Sequence, residues 1–105
     1  MYEEQLSPLP ASFVAVYAGP GGRLSQGVAQ VRARYELCED LASHLSPSAQ
    51  ALHHDDGLGE DDVLLRCHAG LNNPASGLSP GEADWVVRRL AELLRWPAPD
   101  LGKDG

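Results

Sequence analysis

The chain has 105 residues, of which 43% are hydrophobic, and it carries a formal net charge of −7. A chain of this length forms one domain around a single hydrophobic core. Its negative charge repels the phosphate backbone of nucleic acids and anionic lipid, and no apolar run approaches the roughly 18 residues that cross a bilayer. We therefore predict neither a nucleic-acid partner nor a membrane partner.

The N-terminal region is predicted to contain an arm followed by a strand. Residues 1–11 carry two prolines and no hydrophobic periodicity, which indicates a flexible arm. This acidic start lacks the basic region and apolar core of a signal peptide, which favours a cytoplasmic protein. Residues 12–18 are uncharged and rich in β-branched and aromatic residues, which predicts a strand. The Gly-Pro-Gly-Gly run over 19–22 predicts a turn that closes a β-hairpin.

The glycine cluster after this strand does not match a phosphate-binding loop. A Walker-type loop that starts at Gly19 needs a second glycine five positions later, but Leu24 stands there and no Lys follows. A dinucleotide-binding fingerprint also needs a small residue at that position. Pro20 removes one of the backbone N–H donors that such a loop offers. We interpret the cluster as a turn.

The predicted strand offers a possible interaction surface. Both of its faces are apolar, and one edge would keep open N–H and C=O groups without a charge to discourage pairing. We expect Val14 and Val16 to take part in pairing with a protein partner or in self-association with a second copy of the chain. Trp85, predicted to be partly exposed beside the buried stripe of the last helix, is the remaining candidate for an interaction anchor.

Helical patterns follow the predicted hairpin. Apolar residues recur at spacings of three and four from Val28 to Leu45, which predicts a helix that stops by Ser46 because Pro47 disfavours helical geometry in the residue before it. A short second helix is predicted from Pro47 to about His54. A third pattern predicts a helix over about 60–69.

The last helix has the clearest start in the sequence. Ser79 and Glu82 form a capping box with Pro80 at the first helical position. Outer charges at Asp84, Arg88 and Glu92 are spaced for i,i+4 pairs. The buried stripe is predicted to consist of Ala83, Val86, Leu90, Leu93 and Leu94.

The elements together predict a mainly α fold. A short N-terminal β-hairpin or strand precedes a compact bundle of about four helices, and both belong to one domain over 12–96. Pro97 ends the last helix, and residues 97–105 are predicted to form a disordered tail.

Cys38, Cys67 and His68 are the candidates for metal or thiol chemistry. Both cysteines lie on apolar faces of predicted helices, so packing of those faces would bring the thiols together with His68 beside them. Neither a C-x-x-C nor an H-E-x-x-H pattern is present, and adjacent helix residues point about 100° apart. We favour the interpretation that the cysteines are small buried hydrophobic residues, and we predict no catalytic residues, no metal and no cofactor.

Three segments resemble a known group of proteins. ARYELCEDLA (33–42), VLLRCHAGL (63–71) and EADWVVRRLAELLRW (82–96), with the Ser79 cap, resemble a family of small uncharacterised proteobacterial proteins, some of which are labelled as ATPases with chaperone activity. The resemblance covers about 25–96 and implies nucleotide handling. Since the chain lacks a Walker loop and the size of an ATPase domain, the resemblance better fits an accessory protein beside an ATPase.

These observations predict a small acidic protein-interaction or adaptor module, accessory to an ATPase or chaperone system, rather than an enzyme. Two alternatives remain open. The first is a metal- or thiol-dependent site built from Cys38, Cys67 and His68. The second is a nucleotide-handling protein, as the resemblance implies.

Overall fold

The computed structural model describes residues 9–19, 24–99 and 101 and is mainly helical, as predicted. A single antiparallel bridge joins Ala18 to Leu24, and no strand forms within the described ranges. A short 3-10 turn over Pro74–Ser76 precedes the last helix. The helices are α1 (Ala11–Tyr17), α2 (Val28–His54), α3 (Glu60–Leu71) and α4 (Pro80–Leu94).

The predicted strand over 12–18 is wrong, because residues 12–17 belong to α1 and Ala18 makes only the isolated bridge to Leu24. Phe13 and Tyr17 lie one helical turn apart, and both bury their rings in the core. A helix presents no strand edge, so the predicted pairing of copies or partners through such an edge loses its basis. Docking of two aromatic side chains has overridden the β propensity of the run.

The predicted hairpin is not formed in the described residues. Its two ends do approach each other, since the Ser25 N–H donates to the Tyr17 carbonyl at 2.9 Å, beside the single bridge. The predicted turn residues 20–23 lie outside the described residues.

One long helix replaces the two that were predicted around Pro47. α2 runs through Pro47 without interruption for 27 residues. The prolyl nitrogen cannot donate a hydrogen bond, which costs stability inside a helix. Ala42 and Ala49 are both fully buried, so the inward stripe keeps its register across the proline. Packing of this continuous stripe against the other helices outweighs the local penalty.

The starts of α3 and α4 follow their local sequence. Glu60 opens α3, whose first turn is acidic, where the helix dipole favours negative charge. α3 continues past the predicted end to Leu71. The predicted capping box of α4 is confirmed: Ser79 Oγ accepts from the Glu82 N–H at 3.1 Å, and the Glu82 carboxylate accepts from the Ser79 N–H at 2.9 Å.

The inward face of α4 is wider than the predicted stripe. Ala83, Val86 and Leu90 are buried as expected, whereas Leu93 is 39% exposed. Further residues of α4 share the buried face: Glu82, Trp85, Val87 and Ala91. α4 therefore forms the centre of the fold and contacts each of the other three helices.

α2 and α4 run parallel in the bundle. Arg34 pairs with Glu82 at the start of α4, and the His53 ring packs on Trp96 just beyond its end. α3 is antiparallel to both, as the short connections at its two ends require. The short α1 lies across the first turns of α4 and also contacts α2.

Parts of the predicted arm and tail belong to the folded body. Leu9 and Leu101 pack against the core, and Pro99 is buried. The rest of the predicted arm, residues 1–8, lies outside the described residues, as do residues 100 and 102–105 of the predicted tail.

Candidate functional site

A buried carboxylate joins three helices. Glu82 is 3% exposed and accepts hydrogen bonds from the Tyr17 hydroxyl of α1, from Arg34 of α2 and from its own capping residue Ser79. The Arg34 Nε and Nη2 atoms lie 2.9 and 2.8 Å from the two carboxylate oxygens. Arg34 Nη2 also donates to the Gly77 carbonyl at 2.8 Å, so the loop before α4 belongs to the same network.

The electrostatics of this network keep every member in its ordinary ionic form. Burial raises the pKa of Glu82, but hydrogen bonds from Arg34, Tyr17 and Ser79 outweigh it and lower the pKa to about 2. Burial, and then the hydrogen bond to the Glu82 carboxylate, raise the pKa of Tyr17 well above its usual range. The hydrogen bond to Glu82 likewise raises the pKa of Arg34.

This network is suited to holding helices together. A general acid or base needs a pKa near the working pH and reach to a reacting atom. Glu82 stays ionised, Tyr17 stays protonated, and both carboxylate oxygens already accept hydrogen bonds. The geometry therefore favours a structural role for the only buried charged side chain among the described residues.

An open cleft lies beside this network. Its volume is about 400 Å³. The start of α1, Tyr35 in the first third of α2 and residues 85–92 of α4 form its walls, so three helices must dock to create it. The residues that line it are Pro10, Ser12, Tyr35, Trp85, Arg88, Arg89 and Glu92.

Aromatic rings form one side of the cleft. The Tyr35 and Trp85 ring centroids lie 5.8 Å apart at an edge-to-face angle of 72°. Phe13 of α1 packs edge-on against both rings from inside the core. The Trp85 indole N–H donates to Ser12 Oγ at 2.9 Å, so the hydroxyl of Ser12 keeps its own hydrogen to donate.

The two arginines of the cleft differ in their surroundings. Arg89 donates two hydrogen bonds of 2.9 Å to Glu39 and a third of 2.9 Å to Glu92. These bonds raise the pKa of Arg89, with the Glu39 hydrogen bond contributing most. Arg88 is exposed and has no ion-pair partner in the part of the chain that the structure describes.

Arg88 is unpaired because its helical neighbours have other partners. Asp84 Oδ1 lies 2.6 Å from Nε2 of His68, and Glu92 is bonded to Arg89. The predicted i,i+4 pairs from Arg88 to Asp84 and Glu92 are thus replaced by pairs to other residues. A guanidinium without a carboxylate remains at the mouth of an aromatic cleft.

The residues predicted for interaction take unexpected positions. Val14 and Val16 are half-buried on α1, and Val16 packs so closely on α4 that a Cβ added at Gly81 would lie 3.0 Å from its Cγ1. Trp85 is only 7% exposed, so the expected partial exposure is largely absent, yet its ring still lines the cleft.

The candidate thiol and metal residues do not come together as a ligand set. Cys38 is fully buried and Cys67 is half-buried, and both are free thiols. Burial, and then the charge of Glu82, raise the pKa of Cys38 to about 12, and burial raises the pKa of Cys67. His68 is bonded to Asp84 instead. Over residues 9–19, 24–99 and 101, no group of three His, Cys, Asp or Glu side chains is arranged to bind a metal ion.

Sequence reasoning missed the partners of Glu82 and the cleft. The capping box identified Glu82 itself, but Arg34 and Tyr17 lie 48 and 65 positions away in the chain. Arg34 gave no signal beyond its place outside the apolar stripe of its helix. One signal was present for α1, because Phe13 and Tyr17 have the i,i+4 spacing of a helical pair.

No helix in the described part of the chain is long and apolar enough to cross a membrane. Comparison of the chain with protein-family models, with curated proteins and with solved structures found no match. The family resemblance and the ATPase or chaperone connection that it implies therefore stay predictions.

Proposed function

We propose that the chain is a small acidic protein-interaction module and that the cleft formed by α1, α2 and α4 is its binding surface. The observation that carries this proposal is the combination of the Trp85 and Tyr35 rings with the unpaired guanidinium of Arg88 in one cleft. Trp, Tyr and Arg are the residues that most often dominate the binding energy of protein interfaces.

The state of the buried polar groups supports binding over catalysis. Glu82, Tyr17 and Arg34 are occupied with one another, and the buried thiol of Cys38 has a pKa of about 12, so it stays protonated. Within the cleft, hydrogen bonds to Glu39 and Glu92 raise the pKa of Arg89, so this guanidinium stays protonated. A net charge of −7 also disfavours nucleic acid as the partner.

The family resemblance supplies the finer part of this proposal. It implies that the module acts beside an ATPase or chaperone system, as an accessory that binds a component of that system. The absence of a Walker motif from the sequence supports the accessory role over ATP hydrolysis by the chain itself.

Site-specific photocrosslinking in the source cell tests the proposal. A photoreactive p-benzoylphenylalanine at position 11, an exposed alanine between the lining residues Pro10 and Ser12, should capture a defined partner protein that mass spectrometry identifies. The same group at position 66, an exposed arginine of α3, is the control for nonspecific capture.

Charge reversal at the two positions then links capture to the cleft. Arg88→Glu should abolish capture from position 11, because a carboxylate replaces the unpaired guanidinium, whereas Arg66→Glu should leave it unchanged. Equal capture from positions 66 and 11, or full capture by Arg88→Glu, would show that the cleft is not the binding surface.

A further inference from the structure

We infer that the cleft binds the C-terminal end of a partner chain whose last residue is apolar, with the terminal carboxylate on Arg88. This inference rests on the proposed function and names the feature of the partner that the cleft selects. It follows from the charges, the size and the polar atoms of the cleft.

The charges of the cleft fit one carboxylate. Arg89 is neutralised by Glu39 and Glu92, so Arg88 is the one lining cation that lacks an ion-pair partner in the described ranges. A guanidinium pairs with a carboxylate through two parallel hydrogen bonds, which gives both strength and orientation. A ligand with several negative charges, such as a nucleotide phosphate chain, would leave charges uncompensated on a protein of net charge −7.

The size of the cleft fits a chain end. A volume of about 400 Å³ lies near the lower limit of pockets that enclose small ligands, roughly 300–1,000 Å³. A helix with its side chains is about 10–12 Å wide and needs a long groove, whereas a terminal residue needs only a pocket for one side chain. The rings of Tyr35 and Trp85 provide the apolar wall for that side chain.

The remaining polar atoms complement the last peptide unit. The Ser12 hydroxyl accepts from Trp85 and donates its hydrogen to a peptide carbonyl. Oε1 of Glu92 accepts from Arg89, and its second oxygen accepts a peptide N–H. A chain end therefore finds a partner for its carboxylate, for its last N–H and for the preceding carbonyl.

The test compares two peptides that differ only in the terminal charge. The probes are acetyl-glycyl-phenylalanine with a free carboxylate and the same peptide as its C-terminal amide. Binding is followed by the NMR signal of the Trp85 indole N–H, with Trp96, which does not line the cleft, as an internal control. We expect the acid to shift the Trp85 signal at millimolar concentration and the amide to bind at least about tenfold more weakly.

Variants and a small molecule complete the test. Arg88→Gln should weaken binding of the acid by at least about tenfold, whereas Arg66→Gln should not change it. The small acid 3-phenylpropionate keeps the ring and the carboxylate but lacks the peptide unit, so it should bind more weakly than the peptide. Tighter binding of 3-phenylpropionate would assign the cleft to a small carboxylic acid and overturn the chain-end assignment.

Failure of this inference is distinguishable from failure of the proposed function. If crosslinking at position 11 captures a partner while the acid and the amide bind equally well, or neither binds, the interaction module stands and the carboxylate inference is overturned. If the acid binds through Arg88 but no protein is captured, a chain end is not the natural ligand, and the inference is overturned with the proposed function.

Discussion

Arg34 and Glu82 lie 48 positions apart in the chain, yet two hydrogen bonds of 2.9 and 2.8 Å join them between α2 and the first turn of α4. The same carboxylate caps α4 through the Ser79 N–H. One side chain thus starts a helix and fixes its docking, so the local capping signal and the tertiary packing depend on a single residue.

Removal of the Glu82 charge should destabilise the fold. Glu82→Gln keeps the size of the side chain and an acceptor for the Ser79 N–H, but it leaves Arg34 and Tyr17 facing a neutral amide. We expect a loss of about 2 kcal/mol in the free energy of unfolding, because the ion pair is only partly exposed to solvent. Urea denaturation of the wild type and the variant measures this difference in the free energy of unfolding. The exposed acid Glu36 provides the control, since Glu36→Gln should cost less than about 0.5 kcal/mol.

The ion pair between Arg34 and Glu82 should make the free energy of unfolding depend on pH in the acid range. Folding lowers the pKa of Glu82 from 4.5 to about 2, so folding favours its ionised form. This contribution, about 3 kcal/mol at most, is complete above pH 4.5 and is lost as the pH falls toward 2. The stability difference between wild type and Glu82→Gln should therefore shrink from pH 5 to pH 2. A stability difference that stays constant from pH 5 to pH 2 would contradict the lowered pKa of Glu82.

Gly81 is required by the close approach of α1. An alanine at this position of α4 would gain helix propensity, but its Cβ would lie 3.0 Å from Cγ1 of the stiff, β-branched Val16. We expect Gly81→Ala to lower stability by about 1 kcal/mol. In a Val16→Ala background the clash is absent, so the same change should be neutral or stabilising. Equal effects in both backgrounds would refute the contact.

Replacement of Pro47 by alanine should stabilise the folded protein. Its side chain is exposed, and its missing N–H leaves the Ser43 carbonyl without the usual helical donor. Pro47→Ala restores that donor, and we expect a gain of about 1–2 kcal/mol after the greater freedom of the unfolded chain is subtracted. Thermal unfolding followed by circular dichroism measures the gain, with Ser48→Ala at the neighbouring exposed position as control. A loss of stability would mean that α2 needs the proline.

The two thiols should differ in reactivity. Cys38 is fully buried with a pKa of about 12, so maleimide at pH 8 should modify it only when the protein unfolds. Cys67 is half-buried and should react first in the native state. Mass spectrometry over time distinguishes the two, and Cys67→Ala leaves Cys38 as the only thiol. Rapid labelling of Cys38 in the native protein would instead support the alternative of a thiol-dependent site built from Cys38, Cys67 and His68.

Sequence patterns predicted the elements whose causes are local. The start of α4 was correct because Ser79, Pro80 and Glu82 specify it within four residues. The mainly helical character of the fold was correct, but not its N-terminal strand, because the apolar spacing of α2, α3 and α4 is helical over long runs. The end of the first predicted helix was wrong because packing on both sides of Pro47 outweighs its local penalty.

The rest of the fold and the site depend on contacts that no local pattern records. The run over 12–18 is apolar on all sides, so its periodicity did not distinguish strand from helix; docking of Phe13 and Tyr17 on α2 and α4 decides it. The cleft likewise requires Ser12, Tyr35 and Trp85 from three separate segments. Only the assembled bundle brings them together.

α1 has only seven residues and no side-chain cap, so it is too short to be stable on its own. If it undocks, Glu82 still keeps its bonds to Arg34 and Ser79, but the wall that Pro10 and Ser12 give to the cleft is lost. The cleft is therefore thermodynamically linked to the docking of α1, and a ligand that fills it stabilises the docked form by mass action. Occupancy of the cleft should thus appear as slower hydrogen exchange at the amides of α1.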